Sequence, residues 1–504
     1  MIAEKQLMKL QNGSDVRGIA VAGVADEPVN LTAEAVNRIA SGFVDFLTKK
    51  CGKKAQELKI AVGHDSRISA KDLKNAIFQA LLARGAKALD CGLASTPAMF
   101  MSILFDESKA DGSIMITASH LPYNRNGMKF FTKDGGLESS DIKEVLKNAA
   151  RNPVLEAHGK KAESFDLISR YARHLQEKIR AGLGGADRPF EGMRIVVDAG
   201  NGAGGFFAAK VLEPLGANTA GSRYLEPDGM FPHHIPNPEN KQAMASIKEA
   251  VLENQADLGL IFDTDVDRMS AVLPTGEDVS RNSLIAMMAA ILTPAYPQST
   301  IVTDSVTSDE LSIFLEKELG LKHHRFKRGY KNVINECIRL NGAGTVSPLA
   351  IETSGHGALS ENYYLDDGAY LAVKLLIAAA EAKRRGQSLS SLIEKLGHPE
   401  ESREYRIKIM NEPDAKAYGE KVLASFETRA KENGIKIAAP SYEGVRLVFP
   451  NGWALLRVSL HDPNMPLNIE SREKGGAAAI KAKAAKLLEG FLSLDLSSLF
   501  GKAD

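Results

Sequence analysis

The chain has 504 residues, 44% of them hydrophobic and 25% charged, and its 63 Lys plus Arg are matched by 63 Asp plus Glu. At the usual size of ~100–200 residues per domain this length calls for roughly three or four domains, and the apolar content excludes a disordered chain. Zero net charge argues against nucleic acid as the main partner. The three cysteines, Cys51, Cys91 and Cys337, are far apart and odd in number, so they encode neither a disulfide framework nor a thiolate zinc site. The longest apolar run, Ile285 to Leu292, falls well short of the ~20 residues that cross a bilayer, and Met1 to Asn12 lacks an apolar signal core. No membrane partner is expected, and the chain reads as cytoplasmic.

In chain order, short apolar runs that end in polar loops alternate with stretches of helical periodicity. The runs are Leu58 to Val62, Ser113 to Ile116, Met193 to Val197, Leu258 to Phe262 and Thr300 to Val302; the helical stretches are Ala33 to Lys49, Ala70 to Arg84, Lys241 to Asn254, Asp309 to Leu319 and Lys331 to Leu340. Runs of this length suit buried strands, and the alternation implies a layered α/β architecture. After Gly397-His398-Pro399 the texture changes. Two strand-like runs, Val445 to Phe449 and Ala454 to Leu460, flank Pro450-Asn451-Gly452, and an Ala/Lys/Leu helix spans about Gly476 to Phe491. The last quarter therefore reads as a smaller α+β unit.

Four loops carry candidate chemistry. Asp263-Thr264-Asp265-Val266-Asp267-Arg268 follows an apolar strand, and Asp263, Asp265 and Asp267 can converge on one hard cation, which points to Mg²⁺. The alternative is a solvated acidic turn. Thr117-Ala118-Ser119-His120-Leu121-Pro122 places a hydroxyl, Ser119, after a buried strand and beside His120, where it could accept a phosphoryl group or merely cap a turn. Glu352-Thr353-Ser354-Gly355-His356 offers two hydrogen-bonding side chains that could hold vicinal sugar hydroxyls, or could form an ordinary capped loop. Arg457 and Ser459, read as alternate residues of a strand, would project to one face and could clamp a phosphate; the alternative is an exposed surface strand. Gly200-Asn201-Gly202-Ala203-Gly204-Gly205 fits G-x-G-x-x-G, but no acid ends the following strand-like stretch Ala217 to Leu225, so it reads as a tight turn and not as a dinucleotide site. The pairs His233-His234 and His323-His324 lack metal-ligand spacing and read as polar packing.

Taken in order, these loops resemble those of the α-D-phosphohexomutase superfamily, most of all its phosphomannomutase/phosphoglucomutase branch, over nearly the whole chain. The phosphoserine loop T-A-S-H-x-P matches Thr117 to Pro122. The metal loop D-G-D-x-D-R matches except at Thr264, and the sugar loop G-E-x-S-G-H matches except at Ile351. Asp15-Val16-Arg17-Gly18, Gly63-His64-Asp65-Ser66-Arg67 and Pro227 to Pro232 agree with further family loops. His461 stands where the family's phosphate loop has Thr, and Gly329-Tyr330-Lys331 stands where relatives often carry Gly-His.

The resemblance implies three similar α/β domains with mixed sheets, at residues 1–160, 161–279 and 280–397, then a smaller α+β domain at 398–504, around a central cleft. It implies interconversion of hexose 1-phosphate and hexose 6-phosphate, of mannose and/or glucose, through phosphorylated Ser119 and a hexose 1,6-bisphosphate that also serves as activator. One Mg²⁺ would be held by Ser119, Asp263, Asp265 and Asp267. Lys129 and Arg17, with His120, would serve proton transfer and charge support, Lys129 being the better base if its neighbours lower its pKa. Glu352, Ser354, His356, Tyr330, Lys331, Arg457, Ser459 and Arg268 would bind substrate. The last domain is expected to move as a lid, and the chain to be a monomer or weak homo-oligomer. The competing readings are a Mg²⁺-dependent sugar-phosphate phosphatase and a non-catalytic sugar-phosphate-binding scaffold.

Overall fold

A computed structural model describes residues 2–459 and 462–500. The chain forms two compact units, one of residues 1–291 with 354–392, the other of residues 292–353 with 393–504.

The first unit is built on an eight-stranded mixed sheet and a four-stranded mixed sheet. In the larger one the strand Lys59–His64 runs parallel to Lys87–Leu93 and to Gly112–Ile116. Arg125–Thr132 returns antiparallel to Gly112–Ile116, and Asp15–Ile19 pairs antiparallel with Arg125–Thr132. The helix Ala33–Cys51 packs on this sheet because one side of it is apolar. Thr32 caps its start by accepting the Ala35 N–H at 3.1 Å, and Gly52, at φ 66°, ends it. Phe43 from this helix meets Phe130 of the sheet with ring centroids 4.9 Å apart in the core.

In the smaller sheet Leu258–Phe262 is parallel to Ile195–Asp198 and antiparallel to Met269–Val272. The six residues between Phe262 and Met269 thus form a tight return at a strand's carboxyl end. The antiparallel pair Gly357–Leu359 and Leu365–Asp366 leads into the buried helix Gly368–Arg384, capped by Asp367.

In the second unit Thr300–Thr303 is parallel to Lys322–Arg325 and to Leu349–Ile351. Its other sheet has six strands, among them Val445–Phe449, Gly452–Leu456, Asn464–Ser471 and Glu401–Ile409, each antiparallel to its neighbour. The helices Ala415–Glu432 and Gly476–Leu487 pack on this sheet, Phe426 and Ile480 sharing one apolar cluster with Leu447 of the strand Val445–Phe449.

The expected strand Ala454 to Leu460 is shorter. It ends at Leu456, so Arg457 and Ser459 follow the strand rather than lie on it. The residue reached by Arg457 on the partner strand is Pro466, whose carbonyl accepts the Arg457 N–H at 3.2 Å but which has no N–H to return. The stretch Asp309 to Leu319 is helical in two registers, an α-helix Asp309–Ile313 and a π-helix Phe314–Glu318. His461 lies outside the described residues.

Candidate active site

The strand Gly112–Ile116 delivers Thr117, Ala118 and Ser119 to its carboxyl end. Ser119 is buried and sits at φ 50°, a left-handed conformation that disfavours a side chain. Arg67 holds it there. The fully buried guanidinium donates from Nη2 to the carbonyls of Ser119 at 2.5 Å and Leu121 at 2.6 Å, and from Nη1 to those of Pro122 at 2.7 Å and Arg125 at 2.9 Å. Asp65 pairs with its Nε at 3.3 Å, and the Phe231 ring lies 5.2 Å from it. The sequence shows Arg67 only as part of a loop motif; its hold on four carbonyls depends on the folding of the loop.

The Ser119 hydroxyl donates to Asp263 Oδ2 at 2.9 Å, with His120 Nδ1 3.2 Å from the same Oγ. Asp263, Asp265 and Asp267 each bring one carboxylate oxygen within 4.8 Å of the others, and all three are buried. Lys129, opposite Met115 in the sheet, reaches into this group, with Nζ 3.0 Å from Asp265 Oδ2 and 2.5 Å from Asp267 Oδ2. Thr96, which the sequence reading did not single out, donates its hydroxyl to Asp265 Oδ2 at 2.5 Å. Arg17, opposite Gly127, donates to the Thr117 carbonyl at 2.7 Å and pairs with Asp15 at 2.8 Å. Arg268 approaches Asp263 from Nε at 3.9 Å, and its N–H donates to Asp263 Oδ1 at 3.3 Å.

His356 belongs to this same group. Its Nδ1 lies 2.6 Å from Asp366 Oδ2 and 3.8 Å from Asp267 Oδ1, and its backbone bridges to that of Arg268. Asp366 is a second residue the sequence reading missed, since nothing in its immediate context marks it as a partner of His356.

The electrostatics follow from three acids in one buried volume. Burial first, then Asp267 and Asp265, push Asp263 well above the usual carboxylate range. Burial and Asp267 also act against ionisation of Asp265, but Lys129, the Thr96 hydroxyl and Arg17 outweigh them and its pKa is lowered. Asp267 is lowered too: burial opposes its charge, while Lys129, His356 and Arg268 favour it. His120 is pushed down to about 2 by burial and by the cations Arg268 and Arg17, so its imidazole is neutral. Burial opposes charge on His356, yet Asp366 and Asp267 prevail and its pKa is raised.

The donor set fits a divalent cation. Asp265 Oδ1 and Asp267 Oδ1 are buried with no hydrogen-bond partner among the described residues, and the donors are hard oxygens of the kind Mg²⁺ takes. The G-x-G-x-x-G segment supports this loop. Ala203 N–H donates to the Thr264 carbonyl at 2.8 Å, and a Cβ on Gly202 would stand 2.7 Å from the Thr264 Cα. His234 of the pair at 233 and 234 binds Asp198 at 3.1 Å, and His233 stacks on Tyr224. His323 bonds Thr303 and Ser312, each at 2.7 Å. All three make polar packing contacts.

In the second unit Glu352 Oε1 accepts the N–H of Gly329 at 2.6 Å, which ties the sugar-type loop to the Gly329-Tyr330-Lys331 segment at the start of the helix Tyr330–Gly342. The next residue, Thr353, donates its N–H and hydroxyl to Asp304 at 2.9 and 2.7 Å. Arg457 is buried with Nε unbonded, and burial lowers its pKa, partly offset by Glu443. Ser459 donates its N–H to the Asn464 carbonyl at 3.0 Å and accepts that of Asp462 at 3.3 Å. Ser354 is buried in the first unit.

Layered α/β segments with a hydroxyl and a carboxylate triad at strand carboxyl ends define the class as an α/β protein with an enzyme-type site. Three family models match, described as phosphoglucomutase/phosphomannomutase α/β/α domain I at residues 8–154, domain II at 169–276 and domain III at 280–398. The chain belongs to the phosphoglucomutase/phosphomannomutase family of the α-D-phosphohexomutase superfamily, a family of isomerases whose activity is that of a hexose phosphate mutase.

It is 29% identical over 413 residues to a phosphomannomutase/phosphoglucomutase of Pseudomonas aeruginosa, covering 82% of this chain and 83% of the relative. It is 26% identical over 478 residues to a phosphoglucomutase of Neisseria meningitidis, covering 94% and 95%. Its fold is similar to that of a phosphoglucomutase/phosphomannomutase family protein of Burkholderia thailandensis, with a TM-score of 0.78 at 23% identity over 100% of this chain and 99% of that one. The three α/β domains with mixed sheets expected from the sequence are thus those of the family, and the expected smaller α+β C-terminal domain, built on a six-stranded sheet, agrees with the similar fold.

Proposed function

We propose that the chain interconverts hexose 1-phosphate and hexose 6-phosphate, of mannose, glucose or both, with Ser119 as the phosphoryl carrier and a hexose 1,6-bisphosphate as intermediate and activator. The observation that carries this reading is the Ser119 hydroxyl 2.9 Å from Asp263 at the edge of a buried carboxylate triad.

In the proposed cycle phosphorylated Ser119 gives its phosphoryl group to a sugar hydroxyl: the bond from phosphorus to Oγ breaks as one to the sugar oxygen forms, and the proton that the sugar hydroxyl loses is balanced by one gained at the freed Oγ. The bisphosphate turns over and returns its other phosphoryl group to Oγ. Such transfers depend on positioning and charge neutralisation. Asp263, Asp265 and Asp267, with Ser119, would hold Mg²⁺, which when bound supplies positive charge at the phosphoryl oxygens. Arg67 keeps Oγ in place. Neutral His120 contacts Oγ without adding charge to it. Arg17 and Arg268 add positive charge nearby. Lys129, bound to two carboxylates, acts as their ammonium counter-ion in this arrangement; of the two groups proposed for the sugar hydroxyl proton it is the better carrier, because it can give up a proton before accepting one, whereas an Arg scarcely releases its own. Glu352, Ser354, His356, Tyr330 and Lys331 are proposed to read the sugar, and Arg457 and Ser459 to take the non-reacting phosphate.

The test is a coupled assay with glucose 1-phosphate and mannose 1-phosphate, Mg²⁺ and a trace of hexose 1,6-bisphosphate, run beside Ser119→Ala. Turnover of at least one sugar, lost in the variant, is the expected outcome. Inorganic phosphate as the main product would instead establish a phosphatase, and undiminished function of Ser119→Ala a binding scaffold.

A further inference from the structure

We propose that Thr96 is a positioning residue for the cation site, one that turns the Asp265 carboxylate so that Oδ1 is presented to the metal. The inference rests on the metal reading given above and goes beyond it by naming what sets the ligand geometry.

Thr96 is the first residue of the helix Thr96–Leu104, whose start is fixed by Ser95, accepting the Ala98 N–H at 3.3 Å, and by Pro97 in the first turn. From there Thr96 grips Asp265 twice. Its N–H donates to the Asp265 carbonyl at 2.8 Å, and its hydroxyl donates to Oδ2 at 2.5 Å, across 169 positions of sequence. The helix is itself anchored to the sheet, since the Ser113 hydroxyl donates to the Met99 carbonyl at 2.7 Å. Thr96 is buried, and β-branching restricts its χ1, so with both its N–H and its hydroxyl engaged by Asp265 the hydroxyl is held in place.

The consequence lies in which oxygen is used. Oδ2 of Asp265 receives both the Thr96 hydroxyl and the Lys129 ammonium, the latter at 3.0 Å, while Oδ1 is buried and has no hydrogen-bond partner among the described residues. Asp267 shows the same division: Oδ2 is taken by Lys129 at 2.5 Å, and Oδ1 makes no hydrogen bond. Two carboxylates are therefore held from one side with their other oxygens left for a common ligand. On Asp267 the bond to Oδ2 comes from a cation, Lys129, with the His356 Nδ1 3.8 Å from Oδ1. On Asp265 a neutral hydroxyl shares the task, and this lets its contribution be tested without changing the charge of the site. Partners that orient a metal's ligands in this way commonly govern affinity by about 10–100-fold.

The experiment is calorimetric titration of the metal-stripped, full-length protein with Mn²⁺ alone, for the unaltered chain, Thr96→Val and Thr96→Ser, each checked for native circular dichroism. Thr96→Val keeps the shape and the backbone bond but removes the hydroxyl, and is expected to bind Mn²⁺ about 10–100-fold more weakly. Thr96→Ser restores the hydroxyl and is expected to bind within a few-fold of the unaltered chain. Equal affinity of Thr96→Val and the unaltered chain overturns the inference while the metal reading stands. Equal loss in Thr96→Ser and Thr96→Val also overturns it, because packing and not the hydroxyl would then be responsible. Failure of the unaltered chain to bind Mn²⁺ overturns the metal reading and this inference with it.

Discussion

Asp367, next in sequence to the His356 partner Asp366, ties several elements together. Its carboxylate accepts the Tyr171 hydroxyl at 2.7 and 2.6 Å, the Asn362 amide at 3.0 Å and the Tyr370 N–H at 2.9 Å, capping the helix Gly368–Arg384. Burial raises its pKa to about 6, against the pull of those hydrogen bonds. The unfolded value is ~3.9, so between about pH 4 and 6 the folded chain keeps a proton that the unfolded chain has released, and stability falls as pH rises through that window. Asp367→Asn removes the titration while keeping an acceptor. Urea unfolding should show the variant gaining about 1–2 kcal/mol on the unaltered chain between pH 4.5 and pH 7, whereas parallel pH profiles would refute this origin of the slope. Which residues were legible beforehand follows from distance along the chain. Asp263, Asp265 and Asp267 stand within five residues, so their convergence could be read directly. Thr96, Asp366 and the four carbonyls under Arg67 meet their partners only after folding, and no local spacing announces them. Lys129 could be read as a site residue, but not its placement between Asp265 and Asp267.

Among elements, the loop from Asp263 to Arg268 is tightly constrained, because backbone presses on it from two sides. The Gly368 N–H donates to the Val266 carbonyl at 3.1 Å, and a Cβ on Gly368 would stand 2.6 Å from the Arg268 carbonyl carbon. On the other side a Cβ on Gly202 would meet Thr264 Cα and O, each at 2.7 Å. Both neighbours are backbone and cannot rotate away. Gly202→Ala should therefore displace the metal loop, lowering stability by about 1–3 kcal/mol and weakening Mn²⁺ binding. Thermal unfolding and metal titration check the two halves, and an unchanged Tm would refute the close approach. Element types were readable where burial and periodicity agree, as for Leu258–Phe262 and Lys241–Asn254, whose observed bounds match the expected ones. The strand expected to reach Leu460, which lies outside the described residues, was misread because its apolar pattern continues past Leu456 while the facing residue, Pro466, has no N–H to continue the ladder. Pro466 sits in a different strand, and its missing N–H cannot be seen from the sequence of the first.

At the scale of the whole molecule, the second unit is fastened by Arg446. Its guanidinium lies 3.6 Å from the Trp453 ring and donates to the carbonyls of Ser305 at 3.1 Å and Thr307 at 3.3 Å and to Asp309 at 2.9 Å. Val306 joins Trp453 and Leu455 in a small apolar cluster, and Arg472 pairs with Glu310. These contacts bind the C-terminal sheet to residues 292–353, so motion of the C-terminal segment carries that stretch with it. Arg446→Met should cost about 3 kcal/mol, since it leaves buried acceptors without their donor. In hydrogen exchange, amides of residues 300–325 and 445–471 should lose protection together; deprotection confined to the C-terminal strands would show that the two parts are not fastened. Among the described residues no helix is long and apolar enough to cross a membrane.

The grip of Arg67 on four carbonyls has a consequence for the timing of the proposed cycle. The bonds that shape the serine loop run to main-chain oxygens, none of which gains or loses a proton or a phosphoryl group during turnover. If Ser119 is the carrier, it is a fixed post around which the sugar turns, and the chain's record of which half-reaction comes next is the presence or absence of a phosphoryl group on a single oxygen, with no change required in the main-chain bonds that shape its loop.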